Sequence, residues 1–291
     1  MTAEPENSVR RRPRRLSHIR PWVQTAFLAV WLAPVSAVQN LPGCVFHCYG
    51  CPWSSFACPI GLMANYAALG PTQWAVAPLL LAGVLLAAGG LVGSLICGWA
   101  CPFGYLQDLL ERIPLPKFRI PNSLGLVRYA VLLGLVIALP WWLGSRGVPY
   151  ERQSISICRV CPAGGLEASL PYSIQGLIQG RPWPMGPLRM GVIVVFLAAA
   201  VTTFRPWCKV FCPLGGLLSL FNGVSLFHLR FRREACIDCN TCRSHCSIGV
   251  EVERRVNVSH CIRCLECTTC GAIQPSIGGA GLGKEEHEGH E

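Results

Sequence analysis

The chain has 291 residues, of which 52% are hydrophobic and 14% are charged, and it carries a formal net charge of +10. So few charged residues exclude an ordinary soluble domain, in which about a quarter of the residues are charged, and predict a membrane protein. Basic residues beside an anionic inner leaflet explain the positive charge. Since the sequence contains no nucleic-acid-binding motif, we expect no nucleic-acid partner.

Four apolar stretches are each long enough to cross a hydrocarbon core of about 30 Å. They cover residues 22–38, 75–96, 124–143 and 187–204. Six arginines precede the first stretch, and basic residues next to a span stay in the cytoplasm. We therefore expect a basic cytoplasmic tail at residues 1–20, a four-helix transmembrane domain at residues 21–229, and both termini on the cytoplasmic side of a bacterial inner membrane. Residues 145–186 contain four arginines although this topology places them outside.

The string Cys-Pro-x-Gly occurs once after each predicted span, and its four copies begin at Cys58, Cys101, Cys161 and Cys212. Proline suits the first turn of a helix and glycine permits close backbone approach, so each string predicts a cysteine at the start of a helix. The positive end of the helix would favour a thiolate there. The spacing predicts two related halves of two spans each, with the first and third strings on the outer side and the others on the inner side.

The inner side is predicted to hold a metal site. Two Cys-x3-Cys-Pro motifs, Cys97 with Cys101 and Cys208 with Cys212, would bring four thiolates together. Four thiolates suit a 4Fe-4S cluster or a zinc ion. A disulfide is disfavoured here because the cytoplasm is reducing.

The outer side carries more cysteines than one metal site needs. The predicted ligands of an outer 4Fe-4S cluster are Cys51, Cys58, Cys158 and Cys161, with Cys48 as a substitute for Cys51 or Cys158. Thiols on this face commonly form disulfides, so a disulfide-bonded group is the alternative, with Cys44 and Cys48 as one bridge.

Two cysteine runs near the C-terminus have the spacing of a two-cluster ferredoxin. Each contains Cys-x2-Cys-x2-Cys, which places three thiolates around one cluster, while the fourth cysteine of each run serves the other cluster. The predicted sets are Cys236, Cys239, Cys242 and Cys270 for one cluster, and Cys261, Cys264, Cys267 and Cys246 for the other. The second run is one residue short of the usual spacing before Cys270. A pair of zinc sites is the alternative, but zinc favours two cysteine pairs separated by a longer loop.

The sequence thus predicts an α-helical membrane protein with four transmembrane helices in two pseudo-repeated halves, followed by a small α+β module of the bacterial ferredoxin type. The module covers residues 230–276 on the cytoplasmic side, and the Gly-rich residues 277–291 form a flexible tail. Two to four 4Fe-4S clusters would be bound.

Four spans, two inner Cys-x3-Cys-Pro motifs and a C-terminal pair of 4Fe-4S runs together resemble the NapH-type membrane polyferredoxins and the C-terminal half of the NosR-type proteins of nitrous oxide respiration. The resemblance covers nearly the whole chain, and the motifs at Cys97/Cys101 and Cys208/Cys212 are its most specific part. It implies the quinol dehydrogenase component of a multi-subunit oxidoreductase of anaerobic respiration. NosR-type proteins have a flavin-binding domain ahead of the spans, whereas about twenty residues precede the first stretch here, so we assign no flavin.

An electron cannot cross the hydrocarbon core in one useful step, so redox centres near both faces or a quinone must bridge it. The predicted function is therefore the relay of electrons between the quinol pool or a cytoplasmic donor and a periplasmic reductase or partner. The expected partner subunits are a ferredoxin, a cytochrome c or a periplasmic reductase. Two other functions stay open: a metal-handling or maturation factor for a respiratory metalloenzyme, and a redox sensor.

Overall fold

The first helices of the chain alternate between long apolar segments and short segments that begin at a cysteine. A computed structural model describes residues 16–32, 58–70, 76–182, 185–252 and 255–278. Within these residues the first five α-helices are α1 (Arg20–Leu32), α2 (Pro59–Leu69), α3 (Val76–Val92), α4 (Leu95–Trp99) and α5 (Pro102–Glu111). Helix α3 is rich in leucine and alanine, which favour helix strongly.

One long helical segment crosses the middle of the chain. It begins with a 3-10 turn at Asn122–Leu126 and continues through α6 (Val127–Val131), a π-helical stretch (Leu132–Ala138) and α7 (Leu139–Ser145). Over its 24 residues it is long and apolar enough to cross a membrane. A hydrocarbon core needs about 20 such residues.

The next part of the chain repeats the first series of helices. It consists of α8 (Pro162–Gly164), a π-helical stretch (Gly165–Ser169), α9 (Leu170–Ile178), α10 (Pro187–Thr202), a π-helical turn (Trp207–Phe211) and α11 (Pro213–Leu220). In both series a helix that begins at Cys-Pro is followed by a long apolar helix, a short turn that carries a cysteine, and a second helix that begins at Cys-Pro. This order of helices agrees with the predicted division into two related halves, which stays a prediction.

Each Cys-Pro-x-Gly string begins a helix, as predicted. The cysteine is the N-cap residue and the proline follows in the first turn of α2, α5, α8 and α11, at Cys58, Cys101, Cys161 and Cys212. Proline has no N–H group, so it leaves no donor unsatisfied at this position. In α11 the thiol of Cys212 accepts a hydrogen bond from the backbone N–H of Gly215, at 3.4 Å.

Four membrane-spanning helices, as the sequence predicts, are not confirmed. A helix lies within each predicted span, but in the described parts of the chain only residues 122–145 form one that is long enough to cross a bilayer. The segments Pro78–Val92 and Pro187–Thr202 are shorter apolar helices. The end of the first predicted span, residues 33–38, lies outside the described residues.

The two halves pack against each other through small and aromatic side chains. Ile60 and Ala64 of α2 are buried against Leu132 and Val136 of the long central segment. Close to this contact, a Cβ atom on Gly144 would stand 1.9 Å from the carbonyl oxygen of Ala68, so only glycine fits there. On the other side, Phe103 of α5 and Phe196 of α10 stack with their ring centroids 4.8 Å apart.

The C-terminal module is framed by two antiparallel strands, β1 (Phe227–Phe231) and β2 (Ile273–Ile277). Phe227 pairs with Ile277 and Phe231 with Ile273. Both cysteine runs lie between these strands, and the short helix α12 (Thr241–Ser244), inside the first run, packs on the turn at Glu266–Cys270. The core of the module is apolar and consists mainly of Val, Ile and Leu side chains.

A buried arginine fastens the module to the helices. The side chain of Arg263 is 0% exposed. Its Nη1 donates to the carbonyl oxygen of Val92 at the end of α3, at 3.0 Å, and to the hydroxyl of Ser225, at 2.6 Å, while its Nη2 donates to the carbonyl oxygen of Asn222. One side chain therefore ties the second cysteine run to the end of α3 and to the turn that follows α11.

Replacing Arg263 by methionine should lower the apparent melting temperature by about 5 °C or more, because the carbonyl groups that it satisfies would be left buried without a donor, at about 1–3 kcal/mol each. The measurement is thermal unfolding of the purified protein, followed by tryptophan fluorescence. Arg232→Met is the matched control, since half of the Arg232 side chain is exposed. Equal melting temperatures for the two variants would contradict the role of Arg263.

Candidate functional site: two adjoining groups of cysteines

One apolar cavity in the C-terminal module is lined by a complete predicted ligand set. The cysteines in its wall are Cys246, Cys261, Cys264 and Cys267, and the remaining wall is made mostly of Val, Ile and Leu side chains. Burial raises the pKa of Cys267, and the thiols of Cys264, Cys261 and Cys246 raise it further. The four sulfur atoms are therefore close enough to repel one another as thiolates, which is the arrangement that four ligands of one cluster need.

Backbone N–H groups point at the sulfur atoms of this set. Val250 donates to the sulfur of Cys246 at 3.2 Å, and Arg263 donates to the sulfur of Cys261 at 3.4 Å. Such N–H···S bonds stabilise negative charge on ligand sulfur and tune the potential of a cluster. The donor set, the apolar wall and these hydrogen bonds all fit a 4Fe-4S core.

The two cysteine runs share an unusual backbone conformation. The residues directly before and after the middle cysteine of each run have positive φ: Asp238 (49°) and Asn240 (53°) in the first, Arg263 (51°) and Leu265 (63°) in the second. Each such residue costs about 1–3 kcal/mol, unless the surrounding structure enforces it. The same costly turn in both runs indicates that both wrap around the same kind of core.

The first run is less completely described. Cys242 is buried and Cys236 half-buried, whereas Cys239 is exposed. The backbone of Cys270 lies in a 3-10 turn packed against α12, which carries Cys242. The position of the Cys270 thiol lies outside the described side chains, so its place in this set stays a prediction.

The two inner Cys-x3-Cys-Pro motifs form a second group, the quartet of Cys97, Cys101, Cys208 and Cys212. Burial raises the pKa of Cys97, and the thiols of Cys212, Cys101 and Cys208 raise it further, so the cysteines of the two motifs are close enough to influence one another. Gln107 donates from Nε2 to the sulfur of Cys208 at 3.1 Å. The quartet thus also combines clustered thiols with N–H donors.

The quartet adjoins the cavity through backbone contact. A Cβ atom on Gly98, inside the first motif, would stand 2.6 Å from the carbonyl oxygen of Ile262. Trp99 donates from its indole to the carbonyl oxygen of Arg263 at 3.2 Å. In the second motif, Lys209 donates from Nζ to the carbonyl oxygen of Ile248, at 2.7 Å. Both motifs therefore contact the loops that carry the cavity cysteines.

A charged network lies beside both groups. Arg205 binds Asp108 through two hydrogen bonds, of which the Nε to Oδ1 bond is 2.6 Å long. Arg20 bridges Asp108 and Glu266, at 2.9 Å from Glu266 Oε1. Although burial opposes it, the charge of Arg205 holds the pKa of Asp108 below its usual value. Asp108 is thus an anion that keeps Arg205 in place, a role that the sequence did not reveal.

The predicted outer set is brought together only in part. Cys58 and Cys158 pack against the same apolar core, and the hydroxyl of Tyr150 donates to the sulfur of Cys158 at 3.1 Å. Cys161 begins α8, whereas Cys48 and Cys51 lie outside the described residues. No disulfide joins the cysteine side chains that the structure describes.

The outer and inner strings are closer than expected. Cys58 acts electrostatically on Cys212, and Leu214 of α11 packs on the core that Cys58 joins. Likewise, Ala163 of the third string and Cys101 of the second string pack against the same core residues, Phe103 and Phe196. This differs from the expected separation by a full hydrocarbon core. The reason is that α2 starts beside α11 and α8 starts beside α5. The first string therefore lies near the fourth, and the third near the second.

The cavity thiols line a space between them. In the parts of the chain that the structure describes, no three His, Cys, Asp or Glu side chains are arranged to hold a single metal ion. A zinc ion would need every thiolate at about 2.3 Å from one centre.

Comparison with known proteins supports iron–sulfur chemistry at the quartet. A family model described as a 4Fe-4S binding domain matches residues 74–121 and again residues 185–234. Each matched stretch contains one Cys-x3-Cys-Pro motif. The double match also agrees with the two related halves of the fold.

Several relatives align with more than half of this chain. An uncharacterised protein of Methanocaldococcus jannaschii, MJ0750, is 25% identical over 80% of this chain and 91% of its own length. The putative electron transport protein YccM of Escherichia coli is 29% identical over 69% of this chain and 54% of its own length, and the regulatory protein NosR of Pseudomonas aeruginosa is 28% identical over 60% and 23%. The chain thus spans about half of YccM and a quarter of NosR. No solved structure matches the chain.

Variants of the quartet test whether its cysteines serve one cluster. Cys101→Ala and Cys208→Ala should each remove about four iron atoms per chain, and the double variant should remove no more than either single one, because all four ligands hold one core. Iron and acid-labile sulfide are measured on protein purified without oxygen. Additive losses in the double variant would contradict a shared cluster.

Proposed function

We propose that this chain, a 4Fe-4S protein of the NosR- and NapH-like type, is a membrane-bound electron relay between the quinol pool or a cytoplasmic donor and a periplasmic reductase or partner. The observation that carries the proposal is the close backbone contact between Gly98, inside the quartet segment, and Ile262, on the loop that carries the cavity cysteines. Two cluster sites that touch through one layer of backbone can exchange an electron, whereas isolated storage or sensing sites need no such contact.

Buried positive charge near the cysteines supports the binding of negatively charged clusters there. Five basic side chains are buried in the described parts of the chain: Arg20, Arg128, Arg205, Lys209 and Arg263. The described salt bridges of these five residues involve only Asp108 and Glu266. A buried charge without a counter-charge is costly. Clusters bound by four thiolates are negatively charged, so they would supply the missing anions.

The order of the relay follows from the contacts. We place the first run at the solvent end of the series, because it contains Cys239, the one exposed cysteine among those that the structure describes. The cavity set comes next, the quartet follows through Gly98 and Ile262, and Cys58 adjoins the quartet at Cys212. We propose that electrons move along this series. The donor and the acceptor that bind at the two ends of the series set the direction of electron flow.

The assignment of the partners rests on the resemblance and on the relatives. YccM is named as a putative electron transport protein, and methylamine utilization ferredoxin-type protein MauN is a further relative, 26% identical over 57% of this chain. The long apolar segment 122–145 supports a place in the membrane, where quinol is available. The chain therefore combines a lipid-facing region with a ferredoxin-like module.

Metal content and quinol reduction test this proposal directly. Protein purified without oxygen should contain about twelve to sixteen iron atoms per chain, for three or four clusters, and adding a reduced quinol should produce electron paramagnetic resonance signals from reduced clusters. Dithionite is the positive control for reducibility. If dithionite reduces the clusters but quinol does not, the quinol donor is ruled out in favour of a ferredoxin donor. Iron-free protein loaded with zinc or copper would contradict the relay and favour metal handling.

The contact at Gly98 offers a separate test of the order. Gly98→Ala should slow electron exchange between the quartet and the cavity cluster while leaving the iron content unchanged, because the added Cβ pushes the Ile262 backbone away and tunnelling rates fall steeply with distance. Gly90→Ala is the matched control, since a Cβ at Gly90 meets nothing within 4 Å. The measurement is the rate at which the quartet signal appears after rapid mixing with reductant. Equal rates in both variants would contradict transfer across this contact.

A further inference from the structure

Arg205 has a costly conformation and an unused donor beside the quartet. It precedes the turn that carries Cys208, its φ is 44°, and its side chain is 1% exposed. Its Nε and Nη2 bind Asp108. Among the described residues, its Nη1 atom has no hydrogen-bond partner. A buried N–H group without an acceptor costs about 1–3 kcal/mol, so this site calls for an acceptor.

The unused donor lies beside the quartet. Nη1 lies 3.6 Å from the point that a Cβ on Gly104 would occupy, and the Cβ of Cys101 lies 3.8 Å from the same point. Gly104, which has no Cβ, therefore leaves room between the guanidinium and the Cys101 side chain. The positive charge of Arg205 also acts on Cys97 and Cys208 in the quartet and on Cys264 in the cavity set. Its charge thus reaches cysteines of both groups.

We propose that Arg205 is the positioning residue that sets the reduction potential of the quartet cluster, by donating its Nη1 hydrogen to a sulfur of that cluster. This inference rests on the proposed function, because it requires a cluster in the quartet. Reduction adds one electron, and no bond forms or breaks. The added negative charge is stabilised by a nearby buried cation, so Arg205 raises the potential. Asp108 holds Arg205 in place and partly offsets its charge.

Two charge-changing variants should shift the potential in opposite directions. Arg205→Gln removes the cation and should lower the midpoint potential of the quartet cluster, with a smaller downward shift in the cavity cluster. Asp108→Asn removes the offsetting anion, keeps an oxygen acceptor for Arg205, and should raise the midpoint potential of the quartet cluster. Damage to the structure alone would not produce shifts of opposite sign.

The measurement is a redox titration followed by electron paramagnetic resonance, with iron content determined on the same samples. The quartet signal is assigned as the one that Cys101→Ala removes. Arg232→Gln removes an exposed cation of the C-terminal module and should leave every potential unchanged. Arg205→Lys keeps the charge without the forked donor and should give a potential between those of wild type and Arg205→Gln.

The outcomes separate this inference from the proposed function. Shifts of the same sign in Arg205→Gln and Asp108→Asn, or no shift in either at full iron content, would overturn the role of Arg205 while the relay stands. If Arg205→Gln fails to bind iron, Asp108→Asn alone tests the inference: a raised midpoint potential of the quartet cluster supports it, and an unchanged or lowered potential overturns it. Wild-type protein without a quartet signal would overturn the proposed function itself.

Discussion

Excess positive charge buried among cysteines is the constraint on which the rest of the structure depends. Arg263 and Lys209 are almost fully buried, and their hydrogen bonds go to uncharged oxygen atoms, mostly backbone carbonyls. Neutral oxygens orient these cations but do not neutralise them. The thiol groups on either side of them are the nearest place where negative charge can be concentrated. Binding of anionic clusters would therefore stabilise the docking of the module on the helices as well as carry electrons.

This coupling of cluster binding to docking explains several local features. Arg263, whose backbone is in the left-handed region, is part of the turn around the cavity, and its side chain also binds the module to Val92 and Asn222. The backbone of Ile262 lies directly on Gly98. A loop that is bent around a core and locked on its outer side by a buried arginine has little freedom to move, so the distance between the two cluster sites is fixed. A relay needs such a fixed distance.

The sequence predicted the features that depend on local spacing. The helix that starts at each Cys-Pro string follows from residue types at short intervals, and the approach of the two Cys-x3-Cys-Pro motifs was expected from their repetition 111 residues apart. The sequence did not predict that Cys58 would act on Cys212, because hydropathy assigns segments to faces of a membrane and carries no information on helices that begin inside the fold. The pairing of Arg205 with Asp108 was also missed. These residues are 97 positions apart, and only the tertiary fold brings them together.

Crossed packing of the two halves shortens the path that electrons must take. The first string of each half adjoins the second string of the other, so a cluster at the outer cysteines would lie next to the quartet rather than a membrane thickness away. Both the relay and the docking of the module require that the quartet and the cavity cysteines hold iron cores, joined through Gly98 and Ile262. An anomalous difference map at the iron absorption edge, from crystals grown without oxygen, locates these cores. We expect one iron peak inside the quartet and one inside the cavity; a map with iron in the cavity but none in the quartet would contradict this arrangement.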